Sequence, residues 1–346
     1  MARGDKVTAA TLPEVHLTKD DEHELHQLCD DLEREVLASY EEFLYTRNRD
    51  VDPRRWKSVR SKDDMHVYRE RRASKHGSSS SRADSIFHSS SSNSSSASSS
   101  RPASSSRADL SSMADLSSRD GLSSTMEIGP MHAMAATSSM PIVMVAGTAP
   151  GTLDDALLGI SVTDTPSIRR KSEYQKDKLE DCAVVATLNR GSYEDPFQYR
   201  GILWFLKDYP IINTIVRPRD LLQMTSTRQM RTSRGERVGV IVYHSIAHRD
   251  FPEFKSQSII RVQNSLSVVF RQLDNHRVEI FMKNFVDPMG KVPEMFITQD
   301  VAQALITSGE LPIVGFKIKL HHLMRGRRRQ RSPSSENHLP NVRQPT

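Results

Sequence analysis

The chain has 346 residues, which is enough for one large domain or two ordinary ones. Its hydrophobic fraction of 36% is low for a globular protein, which indicates that part of the chain does not fold. A net charge of +5 is too small to predict a specific nucleic-acid partner, and two distant cysteines, Cys29 and Cys182, exclude a zinc finger and a disulfide-stapled secreted fold.

The N-terminal part predicts one helix followed by two strands. Apolar residues recur at three- and four-residue steps over residues 18–46, with Thr18 as the N-cap and acidic residues in the first turn. The segment "WKSVRSKDDMHVYRER" predicts two short strands around a Lys-Asp-Asp turn. The sequence has no apolar leader and no apolar run of about 18 residues, so neither a signal peptide nor a membrane-spanning helix is expected.

Residues 73–139 are dominated by serine and differ in composition from the rest of the chain. Such a segment buries too little apolar surface to offset the loss of chain entropy, so it is predicted to be disordered. It follows a predicted strand and precedes the apolar run "MPIVMVAG". The segment is therefore interpreted as an insertion in a loop, which costs little because closure entropy grows only logarithmically with loop length.

After the insertion the pattern becomes regular. A strand at 140–146 leads to a short helix with Thr152 as its N-cap, and a polar helical stretch follows at 164–180. Six further strands are predicted at 182–188, 199–207, 220–230, 237–246, 258–272 and 276–285. Pro293 and Gly309 bracket a final helix. This order predicts an α+β domain in which a curved antiparallel sheet of about nine strands wraps a C-terminal helix.

Four segments, in this order, resemble the motifs of one family. They are "WKSVRSKDDMHVYRER", "VRPRDLLQM", "YHSIAHRDFPEF" and "VDPMGKVPEMFI". They are similar to the START (steroidogenic-acute-regulatory-related lipid transfer) domain, which has the helix-grip fold. The resemblance covers residues 14–72 and 140–310, with a lid helix at 293–308. Residues 311–346 are interpreted as a basic, mostly disordered tail.

The resemblance implies a non-catalytic, intracellular lipid-binding or lipid-transfer protein. It would hold one hydrophobic ligand of the sterol or phospholipid class in an internal cavity, gated by the loop 208–218 and the lid helix. No cofactor other than the bound lipid, no metal and no catalytic residue is expected. Multi-domain relatives in oomycetes often carry a FYVE zinc finger, and this sequence lacks the cysteines for one.

The resemblance also implies which residues contact the lipid. The tip of the gate would be Ile211, Ile212 and Ile215. Arg219 and Asp220 would form a charged pair that orients a polar head group, with the alternative that they only fix the loop. The other candidates for the cavity and lid are Trp204, Met224, Tyr243, Met282, Phe296, Ile297 and Val301.

Two sequence features outside these motifs suggest how the protein is regulated and where in the cell it acts. "RRAS" and "RRKS" match basophilic kinase sites, with Ser74 and Ser172 as the acceptors. The arginines between Arg325 and Arg331 are compatible with transient contact with an anionic membrane surface, with nuclear import, or with a plain solvated tail. The expected location is cytoplasmic, with peripheral membrane contact.

A second reading keeps the fold but gives it a different role. In that reading the cavity is filled by side chains, and the protein is a regulatory or scaffold protein that acts through its phosphorylatable serine-rich loop and its basic tail. A co-purified lipid distinguishes the two readings.

Overall fold

The computed structural model describes residues 6–71, 129–175, 179–207 and 217–331, with side chains as far as residue 325. The described residues all belong to one compact unit, made of Met1–Arg72 and Ile128–Thr346. Four predicted functional residues lie outside the described residues: Ser74, Ile211, Ile212 and Ile215.

The strands form one open sheet. They are β1 (Trp56–Lys62), β2 (Met65–Glu70), β3 (Val143–Pro150), β4 (Leu179–Asn189), β5 (Tyr199–Lys207), β6 (Arg219–Arg231), β7 (Arg237–Ser245), β8 (Ile260–Arg261), β9 (Gln263–Asp274) and β10 (Arg277–Asp287). The spatial order is β1-β2-β3-β10-β9-β7-β6-β5-β4, and every pair in it is antiparallel. The two-residue strand β8 pairs in parallel with the start of β6. Because β1 and β4 are separate edges, the sheet does not close into a barrel.

Within the described residues, six α-helices accompany the sheet. They are α1 (Lys19–Glu41), α2 (Pro130–Ala136), α3 (Leu153–Ile160), α4 (Thr165–Gln175), α5 (Glu294–Ile306) and α6 (Leu311–Arg331). The predicted N-cap of α1 is confirmed, because the Thr18 side chain accepts a hydrogen bond from the Asp21 amide and Asp21 in turn accepts from the Thr18 amide. Thr152 caps α3 in the same way, by accepting from the Asp155 amide.

Helix α1 packs on one side of the sheet, which we call the outer face. Its residues Leu32, Val36 and Tyr40 belong to an apolar cluster with alternate residues of the central strands, such as Val240 and Phe281. Alternation follows from the period of two along a β-strand. Buried hydrogen bonds hold the helix at this position.

Two buried carboxylates of the outer face join α1 to the strands. Glu33 of α1 accepts hydrogen bonds from Ser226 at 2.6 Å and from Arg200 at 3.1 Å. Tyr40 of α1 donates to Glu279 of β10 at 2.6 Å. Burial of a charge is tolerated because each carboxylate has partners of this kind.

The opposite side, which we call the inner face, is covered by α3, α5 and α6. Leu157 of α3, Leu305 of α5 and Leu311 of α6 share one apolar cluster with residues of the inner face such as Ile241 and Met282. This cluster fills the part of the inner face that the three helices cover.

Two glycines allow α3 and α6 to approach closely. A Cβ atom on Gly315 would lie 1.8 Å from the Asp155 carbonyl oxygen, and one on Gly159 would lie 2.1 Å from that of Leu311. Real Cβ atoms do not approach other atoms so closely, so only glycine fits at either position. Helix α6 is therefore an integral part of the domain.

The predicted α+β fold, with an open antiparallel sheet and a C-terminal helix, is confirmed. Two predictions of disorder are wrong in part. Residues 311–331 of the predicted tail form α6, because Leu311, Val314 and Ile318 are buried. Residues 130–136 of the predicted insertion form α2, which buries Met131. In both places a short apolar pattern is embedded in polar sequence, which concealed it.

Candidate functional site

The predicted Arg219–Asp220 pair is divided between two environments. Asp220 is completely buried on the outer face, where its carboxylate accepts hydrogen bonds from Arg261 at 2.8 and 2.9 Å and from the Trp204 indole at 3.0 Å. Its ionic partner is therefore Arg261 on the short strand β8. This arrangement fixes the start of β6. It agrees with the alternative in which Asp220 only fixes the loop and does not orient a ligand.

Arg219 connects two loops at one end of the sheet. Its guanidinium is buried and donates hydrogen bonds to the main-chain carbonyls of Pro288 and Arg217, both at 3.1 Å. Pro288 begins the loop between β10 and α5, and Arg217 lies at the end of the predicted gate loop. The arginine thus holds the end of the predicted gate loop beside the loop that precedes the lid helix.

Two further candidates, Trp204 and Met224, lie on the outer face. They belong to an apolar cluster with Leu25 and Cys29 of α1. They are consequently separated by the thickness of the sheet from α5, which lies over the inner face. The alternation of β5 and β6 could not reveal this, because these strands carry buried apolar residues on both faces.

Three candidates do lie on the inner face or against it. Tyr243 and Met282 are members of the inner apolar cluster, and Val301 of α5 packs against it. Ile297 is buried on α5, whereas Phe296 is 38% exposed. The structure brings Tyr243, Met282 and Val301 to the same side of the sheet, and it leaves Phe296 near the surface.

The centre of the inner face carries a polar patch that the sequence did not reveal. Strand pairing places Gly201, Thr225 and Tyr243 side by side on β5, β6 and β7. The Thr225 hydroxyl donates to the Val242 carbonyl at 3.0 Å, and the Tyr243 hydroxyl donates to the Ile160 carbonyl at 3.2 Å. Both side chains are thus held in fixed positions.

Tyr199 completes this patch from two residues before Gly201. The Tyr199 ring lies along the sheet over Gly201, since a Cβ atom there would be 2.5 Å from the Tyr199 hydroxyl. Tyr199 is buried, and its hydroxyl lies near Thr187 without hydrogen-bond geometry to it. Burial raises the pKa of both Tyr199 and Tyr243, so both phenols stay protonated and able to donate.

Gln223 is the next polar residue along β6 on this face. It is 4% exposed, and its amide nitrogen Nε2 has no hydrogen-bond partner among the described residues. Leaving a buried donor without a partner costs about 1–3 kcal/mol. Its inward-facing neighbours in the strand pairing, Leu203 and Ser245, provide no partner for Nε2.

Two apolar side chains on the same face of the sheet as Gln223 are covered less completely than the rest of the core. Phe205 and Leu266 are only partly buried, although both pack against the inner cluster. By contrast, Trp204 and Leu206, which flank Phe205 in the chain and face outward, are 0% and 2% exposed. The described elements therefore seal the outer face of β5 but leave part of its inner face open.

We define the inner site as Tyr199, Phe205, Gln223, Thr225 and Leu266. It combines partly exposed apolar side chains with two buried polar atoms that lack a partner among the described residues, the Tyr199 hydroxyl and the Gln223 amide. Such a surface suits a mainly apolar molecule that carries one hydrogen-bond acceptor. Tyr199, Gln223 and Thr225 escaped prediction because alternation alone could not assign a face to β5 and β6.

A cavity of about 620 Å³ opens at the β4 edge of the molecule. Its lining mixes apolar residues with polar and charged ones, which include Lys6, Arg169, Ser172 and Asp181. Asp181 accepts hydrogen bonds there from Arg169 and from the main chain of the N-terminal segment. Because of its charges, this cavity differs from the apolar one expected under the lid helix.

The described part of the chain contains no group of three His, Cys, Asp or Glu side chains that could hold a metal ion. His244 is buried on the outer face beside the Ser265 hydroxyl, and burial lowers its pKa to about 4. Among the same residues, no helix is both long and apolar enough to cross a membrane.

Comparison with known proteins gives one family match. The family model of the START domain matches residues 169–307, from within α4 to the end of α5. No curated protein matches the chain.

Three similar solved structures have low sequence identity to this chain. Human STARD10 is 10% identical, with 93% of this chain and 91% of that chain covered and a TM-score of 0.43. The human StAR-related lipid transfer protein 5 is 10% identical, with 83% and 98% covered and a TM-score of 0.44. Zhui aromatase/cyclase from Streptomyces sp. R1128 is 13% identical, with 55% and 97% covered and a TM-score of 0.24. On the family match, residues 169–307 of this chain are similar to the START domain family.

Proposed function

We propose that the protein binds one lipid molecule at the inner site and carries it without chemical change. The ligand is of the sterol or phospholipid class, with its apolar part against Phe205 and Leu266 and one polar oxygen near Gln223. Each methylene group taken out of water contributes about 0.8 kcal/mol, so a long apolar chain supplies most of the affinity. The polar contact contributes orientation.

One observation carries this proposal. The Gln223 amide is buried and lacks a partner among the described residues, beside apolar side chains that those residues leave partly open. Buried polar atoms in folded proteins nearly always have a partner, so an unpartnered donor calls for an explanation. A lipid hydroxyl, carbonyl or phosphate oxygen would accept its hydrogen bond.

The direct experiment is extraction of the full-length purified protein followed by mass spectrometry of the extract. The expected result is one lipid species or class at a stoichiometry near one per chain. A Met224→Leu variant should retain the same lipid, because Met224 faces α1 on the opposite side of the sheet. Repeated absence of lipid from preparations made under gentle conditions would contradict the proposal.

The gate is a second part of the proposal. The loop 208–218 with Ile211, Ile212 and Ile215 would dip into a bilayer surface together with the nearby start of α5, so that the ligand never crosses water. Support comes from Arg219, which ties the end of this loop to the Pro288 carbonyl before α5. Replacing Ile211 and Ile212 with Ser should slow lipid transfer between vesicles with little change in melting temperature. A large loss of stability would instead place the isoleucines in the core.

An alternative function has its own supporting observation. Side chains of α3, α5 and α6 already fill much of the inner face, as a regulatory or scaffold protein with a closed cavity would require. Such a protein would act through its serine-rich loop and its basic tail. The extraction experiment separates the two functions, because this alternative predicts a lipid-free protein.

Regulation by a protein kinase is proposed for Ser74 and Ser172. Ser172 lies on α4 at the 620 Å³ cavity, which also contains Lys6 and Arg169. A phosphate there would compete with Asp181 for Arg169 and could also bind Lys6, although Glu173 and Glu180 line the same cavity. Phosphopeptide mapping of the protein from its own cells tests whether either serine is phosphorylated. Finding only unmodified peptides that cover both serines would contradict the proposal.

A further inference from the structure

Helix α6 presents a second apolar stripe that nothing in the described structure covers. Its members are Ile313, Phe316, Leu320 and Leu323, with exposed fractions of 43%, 56%, 46% and 63%. Their spacing of three, four and three residues puts them on one side of an α-helix. Met324 borders the stripe and is 54% exposed.

This stripe lies opposite the side of α6 that packs into the domain. The packed side is formed by Leu311, Val314 and Ile318, which are buried. Each of the first three stripe positions follows a packed position by two residues, and two residues turn an α-helix by about 200°. The helix is therefore anchored on one side while an unbroken apolar stripe faces away from the sheet.

The charges of α6 identify the partner. Residues 311–331 contain two lysines and five arginines and no aspartate or glutamate. Lys317 is exposed and borders the stripe, at an angle where a long basic side chain can reach lipid phosphates while the stripe is inserted. Lys319, on the other border, is paired with Asp155 of α3. Arg325 and the arginines after it continue the positive charge beyond the end of the stripe.

A second copy of the chain fits this surface poorly. Pairing two such helices along their stripes would bring Lys317 and Arg325 of each copy together without any acidic side chain of the same helix to neutralise them. An anionic bilayer surface supplies an apolar environment for the stripe. It also supplies negative charge for Lys317 and Arg325, whereas Lys319 is already paired with Asp155 of α3 at 3.3 Å. Each basic residue near such a surface contributes about 1 kcal/mol.

We propose that α6 is an interfacial membrane-binding helix, which lies flat on anionic bilayers with Ile313, Phe316, Leu320 and Leu323 inserted below the headgroups. This helix starts after the residues that match the START domain family and lies outside the inner site. The proposal therefore holds whether or not the inner site carries a lipid.

The test is co-sedimentation of the full-length chain with phosphatidylcholine vesicles, with and without phosphatidylserine. The wild type should bind only the anionic vesicles, and added salt should weaken binding. Phe316→Ser with Leu320→Ser should lower the vesicle partition coefficient by about tenfold or more, since several buried carbons are lost. Lys317→Gln with Arg325→Gln should lower it on anionic vesicles alone. Tyr193→Ser, at an exposed aromatic residue on another loop, should leave it unchanged.

Each contrary outcome overturns the proposal. Wild-type protein that does not sediment with anionic vesicles would show that α6 is not a membrane surface. Binding that survives the Phe316 and Leu320 changes would place the membrane contact elsewhere. Sedimentation velocity that shows a dimer, lost in the same variant, would assign the stripe to a second copy. Circular dichroism of both variants checks that the fold is intact, and their co-purified lipid reports the inner site separately.

Discussion

The two faces of the sheet differ in how completely their buried polar groups are paired. On the outer face, Glu33, Asp220 and Glu279 are buried acids, and each is paired with an arginine. On the inner face, the Gln223 amide and the Tyr199 hydroxyl are equally buried but have no partner among the described residues. The same strands supply both faces, so the difference lies in what covers them. Helix α1 completes the outer face, whereas the inner face is left incomplete where we propose a ligand.

The largest loss of stability should come from replacing Asp220 on the outer face. Asp220→Ala would leave Arg261 without its carboxylate and the Trp204 indole without its acceptor. Removing one partner of a buried ion pair costs about 3–5 kcal/mol. Urea denaturation should show a loss of that size in the free energy of unfolding. Folded protein should still carry lipid at the wild-type stoichiometry; a stable variant without lipid would assign Asp220 to the ligand instead.

A smaller effect on stability should come from the titration of Lys283. This lysine is buried on the outer face and donates a hydrogen bond to Ser39 at 2.9 Å. Burial, together with the nearby Arg55, lowers the pKa of Lys283 from 10.5 to about 8, although three glutamates oppose this shift. The folded state therefore binds fewer protons than the unfolded state between about pH 8 and pH 10.5. Its stability should rise with pH across that window and stay level below it.

Lys283→Met tests this assignment. The substitution removes the cost of a buried charge at pH 7, so the free energy of unfolding should increase by about 2–3 kcal/mol. The rise between pH 8 and pH 10.5 should disappear. Denaturation curves recorded across that range decide the matter, and a variant that keeps the wild-type pH dependence would show that another group titrates there.

Gln223→Leu sharpens the comparison between the faces because it should separate stability from function. In lipid-free protein it removes an unpartnered buried donor, so stability should increase by about 1–2 kcal/mol. The same change removes the proposed contact with the polar oxygen of the ligand, so lipid retention should fall. If the variant is instead less stable and binds lipid normally, Gln223 is an ordinary part of the core.

The sequence was sufficient for the fold but not for the site. The caps at Thr18 and Thr152, the succession of strands along the chain and the helix that follows Pro293 can be predicted from local patterns, and the structure confirms them. Local patterns do not show which side chains of β5 and β6 point to the inner face. Both sides of these strands are apolar, and a shift of one residue exchanges the two faces. Trp204 and Met224 therefore seemed suitable for a cavity although they pack against α1.

Helix α6 was missed for a related reason. The arginines after Met324 dominate its composition and indicate a solvated tail. The buried positions Leu311, Val314 and Ile318 have helical spacing, but only the close approach between Gly159 and Gly315 shows that this helix packs on α3. Tertiary contacts of this kind cannot be read from one sequence.

The most direct test of a ligand at the inner site is the reactivity of a cysteine placed in it. Phe205→Cys puts a partly exposed thiol beside Gln223, and the native Cys29 and Cys182 are buried, with burial raising the pKa of Cys29 to about 12. These two native cysteines should react slowly with a maleimide. Protein as purified and protein freed of lipid are then labelled, with Tyr193→Cys as an exposed control.

The account predicts that the thiol introduced at position 205 is protected in protein as purified. It should react at least about tenfold faster after lipid removal, because a bound chain restricts access to the sulfur. The control thiol should react equally in both samples. Equal reactivity of the thiol at position 205 in both samples, with lipid present in the extract, would contradict the claim that this lipid occupies the inner site.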